Sequence, residues 1–361
     1  MEFGFWKKLK EEKQKIGEPI FCLAPMADVT DTAFRRVIAK YSKDKHLDVR
    51  RPSGGLDVMW TEFVSADGLV LGGYEKLKID LLYTDAERPI VAQLFGANPE
   101  TMEKAARIVF EMGFDGLDIN MGCPDRGVEK QGAGAALMKN PALAVRIIES
   151  ARRGAPNIPI SVKTRIGYNK NEIEEWLPAL LKMGLPVVII HARTRKEMSK
   201  VPAHWDVIKR AVEIRDEMKS SALIIGNGDV IDLDDARQKA RESGCDGVMF
   251  GKAIFGRPWL FSNSAEFENN MSIRERLRIM VEHTKLFEEL LMHPAGGGSA
   301  SGGKNFAIMK KHYKAYLSGV ASAKSDVDGF AGAKELRMKL MEAKNADEVE
   351  KITDEFLSTL H

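Results

Sequence analysis

The chain has 361 residues and a formal net charge of +2; 44% of residues are hydrophobic and 29% charged. This is ordinary globular material with enough for a core, and its charge balance says little about partners. Three cysteines, Cys22, Cys123 and Cys245, exclude a disulfide framework and a CxxC metal knuckle. The opening stretch Phe5-Trp6-Lys7-Lys8-Leu9-Lys10 is too charged for a signal segment, and no apolar run approaches the ~20 residues of a membrane span. A reducing cytoplasm is the expected location, with no membrane and no obligate protein partner evident.

In chain order, a short N-terminal extension (1–18) precedes eight apolar runs of strand length, at 20–26, 57–62, 89–95, 115–120, 159–163, 186–191, 222–227 and 246–251. Between most of them apolar residues recur at helical spacing, as in Met102, Ala105, Ala106, Val109 and Phe110, or Leu177, Leu180, Leu181 and Met183. Runs this apolar, alternating with helices, suit parallel strands buried on both faces. The predicted fold is therefore α/β, a TIM (β/α)8 barrel over 19–262. A single barrel of this kind takes about 250 residues, which leaves a smaller unit behind. Helical patterns at 273–291, 306–317 and 333–360 make that unit, 263–361, an all-α domain. It is interrupted by a flexible Gly/Ser segment at 295–303. Two further breaks are expected, a polar excursion at 44–56 and an interhelical loop at 325–332.

Polar residues appear where the apolar runs stop: Glu62, Gln93, Asn120, Lys163, His191 and Asn227. In a TIM barrel that rim is where active sites are assembled. The turns Gly226-Asn227-Gly228-Asp229 and Phe250-Gly251-Lys252-Ala253 follow runs seven and eight, the usual phosphate position in this fold, and their N–H groups suit an anion. Lys163 offers a fixed cation to the electron-rich part of a planar cofactor, or else a salt bridge to a rim carboxylate such as Glu62. His191 reads either as a hydrogen-bonded core histidine or as a site residue, and the Gln93 amide can donate and accept at a heterocycle edge. Cys22 and Cys245 read as small buried hydrophobes. Cys123, between Gly122 and Pro124 in a loop able to close over a substrate, can give up a proton or attack as a thiolate. No cluster has metal-ligand spacing, so no metal is expected.

The segments Leu23-Ala24-Pro25-Met26-Ala27-Asp28, Gln93-Leu94-Phe95-Gly96, Asp118-Ile119-Asn120-Met121-Gly122-Cys123-Pro124, Lys163-Thr164-Arg165-Ile166-Gly167-Tyr168, His191-Ala192-Arg193-Thr194 and Gly226-Asn227-Gly228-Asp229 occur in this order. Together they closely resemble the tRNA-dihydrouridine synthase family. The resemblance implies a TIM barrel with a helical C-terminal domain that uses FMN and NADPH to reduce uridines in tRNA. It implies that Pro25, Met26, Gln93, Lys163, His191, Asn227, Gly228, Asp229, Gly251 and Lys252 surround FMN, with Lys163 and His191 beside the reacting ring. It further implies that Asn120 meets the uracil and that Cys123 is the general acid. Arg165 and Arg193, with Lys310, Lys311 and Lys314 of the C-terminal helix, are then the substrate contacts. Lys304, Arg195 and Lys196 are further phosphate candidates, and Tyr313 or Tyr316 are candidates for base stacking. Lys252 departs from the family's Gly-Arg pattern; an ammonium still binds phosphate, without the guanidinium fork. The rival reading is another FMN barrel oxidoreductase of the dihydroorotate type, acting on a free small molecule. A flavin-free lyase with Lys163 as Schiff base, and a tRNA-binding protein without chemistry, complete the alternatives.

Overall fold

The computed structural model describes residues 3–43, 55–262, 271–292, 303–318 and 330–360. Eight strands, β1 (Ile20–Leu23), β2 (Met59–Ser65), β3 (Ile90–Phe95), β4 (Gly116–Met121), β5 (Ile160–Arg165), β6 (Val187–His191), β7 (Leu223–Asn227) and β8 (Gly247–Phe250), pair in parallel in the order β1-β8-β7-β6-β5-β4-β3-β2. A parallel bridge between Cys22 and Val58 joins the two ends of that order, with the Leu23 N–H donating to the Val58 carbonyl at 3.0 Å. The sheet is thus the expected TIM barrel, and its strands are apolar almost throughout because both faces are buried.

The connecting helices begin where local chemistry says they should. Asn98 accepts from the Glu100 N–H ahead of Pro99–Glu111, Asn140 from Leu143 ahead of Pro141–Gly154, and Asp232 from Asp235 ahead of Leu233–Ser243. Each satisfies an otherwise orphaned donor, and proline at the first helical position costs nothing in two of the three.

The N-terminal extension is more than a leader to the barrel. Phe5–Ile16 is a helix whose Trp6, 1% exposed, joins the barrel-interior cluster of Ile20, Cys22, Trp60, Val91 and Ile225. Its ring lies 6.0 Å from that of Trp60. Lys13 of the same helix is buried and pairs with Asp57 at 2.8 Å, and that carboxylate also accepts from the Phe21 N–H. The spacing of Phe5, Leu9, Lys13 and Ile16 is helical, and it is the signal by which the element can be read.

By its contacts the chain divides into two units. The first holds the residues up to Met26, Leu56–Tyr83 and Glu87–Gly251; the second holds Ala27–Gly55, Thr84–Ala86 and everything from Lys252 onward. In this division the last segment of the first unit ends at Gly251, and the helix Thr32–Lys43 groups with the C-terminal helices. The reason is visible in that unit: Lys40 and Tyr41 both bond the Glu282 carboxylate, at 2.7 and 2.8 Å, and Phe34 stacks on His283 with centroids 4.7 Å apart. The pattern at 333–360 is two helices, Ala333–Glu342 and Ala346–Ser358, because Asn345 caps the second through the Glu348 N–H. The expected segments 295–303, 44–56 and 325–332 lie mostly outside the described residues. Among those described, no helix is long and apolar enough to cross a membrane, and no group of His, Cys, Asp and Glu could hold a metal ion.

Candidate active site

Parallel pairing places residues from successive strands side by side: Phe63 with Gln93, Gln93 with Asp118, Asp118 with Ser161, and Asn120 with Lys163. Above these layers one cavity opens at the ends of β1 to β6, lined by Pro25, Phe63, Gln93, Asn120, Cys123, Lys163, Arg165 and His191 among others. Seven of those residues were singled out from the sequence, and the fold brings them together from four strands and the loops after β1 and β4. Phe63 was not; its signal is its place one residue beyond Glu62, where the second run stops.

Beneath the cavity the amides are locked. The Ser161 hydroxyl and the Gln93 amide nitrogen both donate to Asp118, the latter at 2.6 Å. The Asn120 amide nitrogen donates to Gln93 Oε1 at 2.9 Å. Asn120 Oδ1 accepts from the N–H groups of Gly122 and Cys123, at 3.1 and 2.9 Å. Burial pushes the Asp118 carboxyl up to about 6, against the pull of Ser161, Gln93 and Lys163. The sequence motif includes Asp118 but gives it no role; its signal is its place two residues before Asn120, on the same face of β4.

The loop carrying Cys123 is built to hold its shape. Asp125 caps the short helix Arg126–Lys130 through the N–H groups of Gly127 and Val128. The Cys123 carbonyl accepts from the Ala135 N–H at 3.0 Å, and Gly134, at φ +59°, approaches so closely that a Cβ there would lie 2.8 Å from that carbonyl. Glu129 takes a forked contact from Arg195 on the loop after β6, one arm at 2.8 Å. Cys123 packs beside Phe95, Val128 and Ala133. Burial pushes its thiol up, opposed first by a hydrogen bond with the Asp125 backbone and then by the charges of Arg165 and Lys163, while the Asp125 carboxylate adds to the rise. A thiol so placed keeps its proton at neutral pH.

Lys163 Nζ donates to Asn227 Oδ1 at 3.1 Å instead of pairing with a rim carboxylate such as Glu62. Burial, and then repulsion from Arg165, hold it down to about 8. Asn227 is anchored in turn by donating to the Met249 carbonyl at 2.8 Å. Gly228, at φ +132°, lies against His191 and Ala203, so that a Cβ there would come within 2.9 Å of the Ala203 Cβ. At the end of β8 the nearest atom to a Cβ built on Gly251 is Met26 Sδ, 3.9 Å away, which leaves open space beside that turn. A cation, amides that donate and accept, and an open glycine turn form a donor set that fits an anionic, phosphate-bearing heterocycle such as FMN.

The two arginines take internal roles. Arg165 Nε donates to the Gly122 carbonyl at 2.7 Å, and another of its nitrogens bonds the carbonyls of Thr194 and Met198. Arg193, 4% exposed, binds the Asp229 carboxylate and the Val201 carbonyl and lies 3.3 Å from His191 Nε2. Asp229 also accepts from the Ala203 N–H. Arg193, held by Asp229, thus braces His191, and Arg165 braces the start of the Cys123 loop.

The remaining candidates belong to the second unit. Lys252 is exposed at the start of a 3-10 turn, and Lys310, Lys311 and Lys314 follow one another along the open side of the helix Met309–Ser318. Lys311 lies 3.9 Å from Asp28. Tyr313 and Tyr316 are fully buried. Their rings belong to the helical core, which corrects the expectation that either is free to stack on a base.

Comparison with known proteins points to one family. Residues 22–360 match the family described as dihydrouridine synthase (Dus). The chain is 35% identical to probable tRNA-dihydrouridine synthase 2 of Bacillus subtilis over 358 residues, covering 99% of this chain and 97% of that protein. It is 33% identical to a probable tRNA-dihydrouridine synthase of Staphylococcus epidermidis, again over 99% of this chain and 97% of the other. Among solved structures, histamine dehydrogenase from Rhizobium sp. 4-9 aligns at a TM-score of 0.49 and 12% identity, over 74% of this chain and 48% of that one; so distant a likeness adds nothing to the fold assignment.

Proposed function

Because the chain belongs to the dihydrouridine synthase family, we propose that it reduces particular uridines of tRNA to 5,6-dihydrouridine, with FMN as bound cofactor, NADPH as reductant and Cys123 as general acid. The observation that carries this reading is the single cavity in which a protonated thiol, a lysine and two oriented amides meet. Lys163, His191, Gln93, Asn227, Gly228, Asp229, Gly251 and Lys252, with Pro25 and Met26, would hold the flavin. When bound there, FMN would supply the hydride that reduces the uracil at C6.

The second hydrogen must come from a different group, and Cys123 is the acid at hand. Its thiol gives a proton to C5, a contribution of typically ~10²–10⁴ in rate for general acid catalysis. Burial of that thiol favours the acid role over attack as a thiolate, because the neutral form is the one the site stabilises. Lys163 holds positive charge where reduction places negative charge. The target base must leave its stack to enter the cavity, at a cost of a few kcal/mol. Contacts from Lys310, Lys311 and Lys314 to the tRNA backbone offset it. A tRNA-modifying enzyme acts where tRNA resides, so a cytoplasmic location goes with this reading.

The test is anaerobic. The flavin of the purified protein is reduced, mixed with unmodified tRNA and separately with free uridine or orotate, and the return of its visible absorbance is followed. Reoxidation by tRNA alone is expected. Reoxidation only by the free small molecule would replace tRNA as the substrate, and protein without flavin would remove the cofactor assignment.

A further inference from the structure

The amides under the cavity are oriented from both ends. The backbone N–H groups of Gly122 and Cys123 can only donate, so the atom accepting both must be Asn120 Oδ1. That choice turns Asn120 Nδ2 toward Gln93 Oε1 and Gln93 Nε2 toward Asp118 Oδ2. A carboxylate can only accept, so the far end of the chain demands the same polarity. Asp118 is itself fully buried, with its other oxygen held by the Ser161 hydroxyl.

We infer that Asp118 is a positioning residue for uridine reduction: through Gln93 it orients the Asn120 amide, so that one N–H faces the cavity while the amide oxygen holds the Cys123 backbone in place. The consequence for recognition is directional. Asn120 offers a donor to a ring carbonyl of the substrate and turns away a ring N–H, because its only acceptor is already used. Buried donors and acceptors left unmatched by a wrong orientation are costly, which is what gives the arrangement its selectivity. The inference rests on reading the site as a uridine-reducing one.

Asp118→Leu removes both acceptors at nearly constant size and leaves a Gln93 N–H without its partner. The holoprotein variant should reoxidise its reduced flavin with saturating tRNA about tenfold or more slowly, with tRNA affinity, set mainly by phosphate contacts, within about twofold. Asp118→Asn should recover most of the rate, since its amide oxygen can accept from Gln93 while its nitrogen donates to Ser161; a merely space-filling role predicts no such rescue. A second readout needs no turnover. In the protein without tRNA, alkylation of Cys123 should quicken in Asp118→Leu as its backbone anchor loosens, with the buried Cys245 unchanged. Unaltered reoxidation and alkylation, a loss confined to tRNA affinity, or parallel labelling of Cys245 would each overturn the assignment. If Asp118→Leu does not fold, Ser161→Ala carries the same test, with a slowing of about threefold expected because the carboxylate is freed to turn from Gln93; no slowing overturns it. Wild-type flavin that tRNA fails to reoxidise would instead refute the proposed function, and the alkylation comparison would still report on Asp118.

Discussion

Lowering the pH from 8 to 5 should weaken the helical unit sharply, because two neutral histidines are packed into it. His283 and His312 are fully buried, meet edge to face with centroids 4.6 Å apart, and are flanked by Phe34. Burial holds His283 well below its usual range, and burial together with Lys311 holds His312 down to about 3. The sign follows from proton counting: an unfolded imidazole near pKa 6.5 binds a proton that the folded one refuses, so stability is full above that value and falls as the pH drops below it. For His312, a folded value of about 3 against about 6.5 unfolded removes roughly 2 kcal/mol between pH 8 and pH 5. His283 adds a loss of the same sign, and the Asp31 carboxyl, pushed up by burial, acts in the opposite direction. Comparing wild type with His312→Gln isolates the His312 share. In urea denaturation followed by helical circular dichroism, the wild-type midpoint should fall by about 1 M more than the variant's over that pH interval, for a slope near 2 kcal/mol per M. Equal falls in the two proteins would show that the neutral imidazole is not the source.

Cys123→Ala should leave flavin and tRNA binding nearly intact while dihydrouridine formation, counted by mass spectrometry of the tRNA, slows by ~10²-fold or more; equal loss of bound flavin would make the residue structural. Lys163→Ala should retain flavin more weakly on gel filtration. Wild-type retention should itself decline as the pH rises through about 8, since the lysine is charged below that value, and a flat profile would deny the cation its place. Trp6→Ala, which empties a fully packed position inside the barrel, should cost about 3–5 kcal/mol in unfolding free energy, whereas a dispensable leader would lose almost nothing.

Barrel class, strand count and the rim that carries the candidate site were legible in the chain because each rests on local pattern: apolar runs of strand length, helical spacing between them, and polar residues where the runs stop. The same is true of Asn120, Cys123 and Lys163, which stand at strand ends whatever their neighbours turn out to be. Tertiary structure alone decided what those residues touch. That Lys163 meets Asn227 instead of Glu62, that Arg193 is spent on Asp229, and that Asp118 commands Gln93 and Asn120 all depend on strand register, which sets contacts between residues 25 to 64 positions apart. Burial was likewise beyond local reading. Tyr313 and Tyr316 sit on a lysine-rich helix like any solvent-facing aromatics, and only packing on the other helices of their unit turned them inward. The sequence alone determined which groups the protein has for its chemistry; the fold decided which of them meet, because hydrogen bonds and desolvation act between neighbours in space and not along the chain.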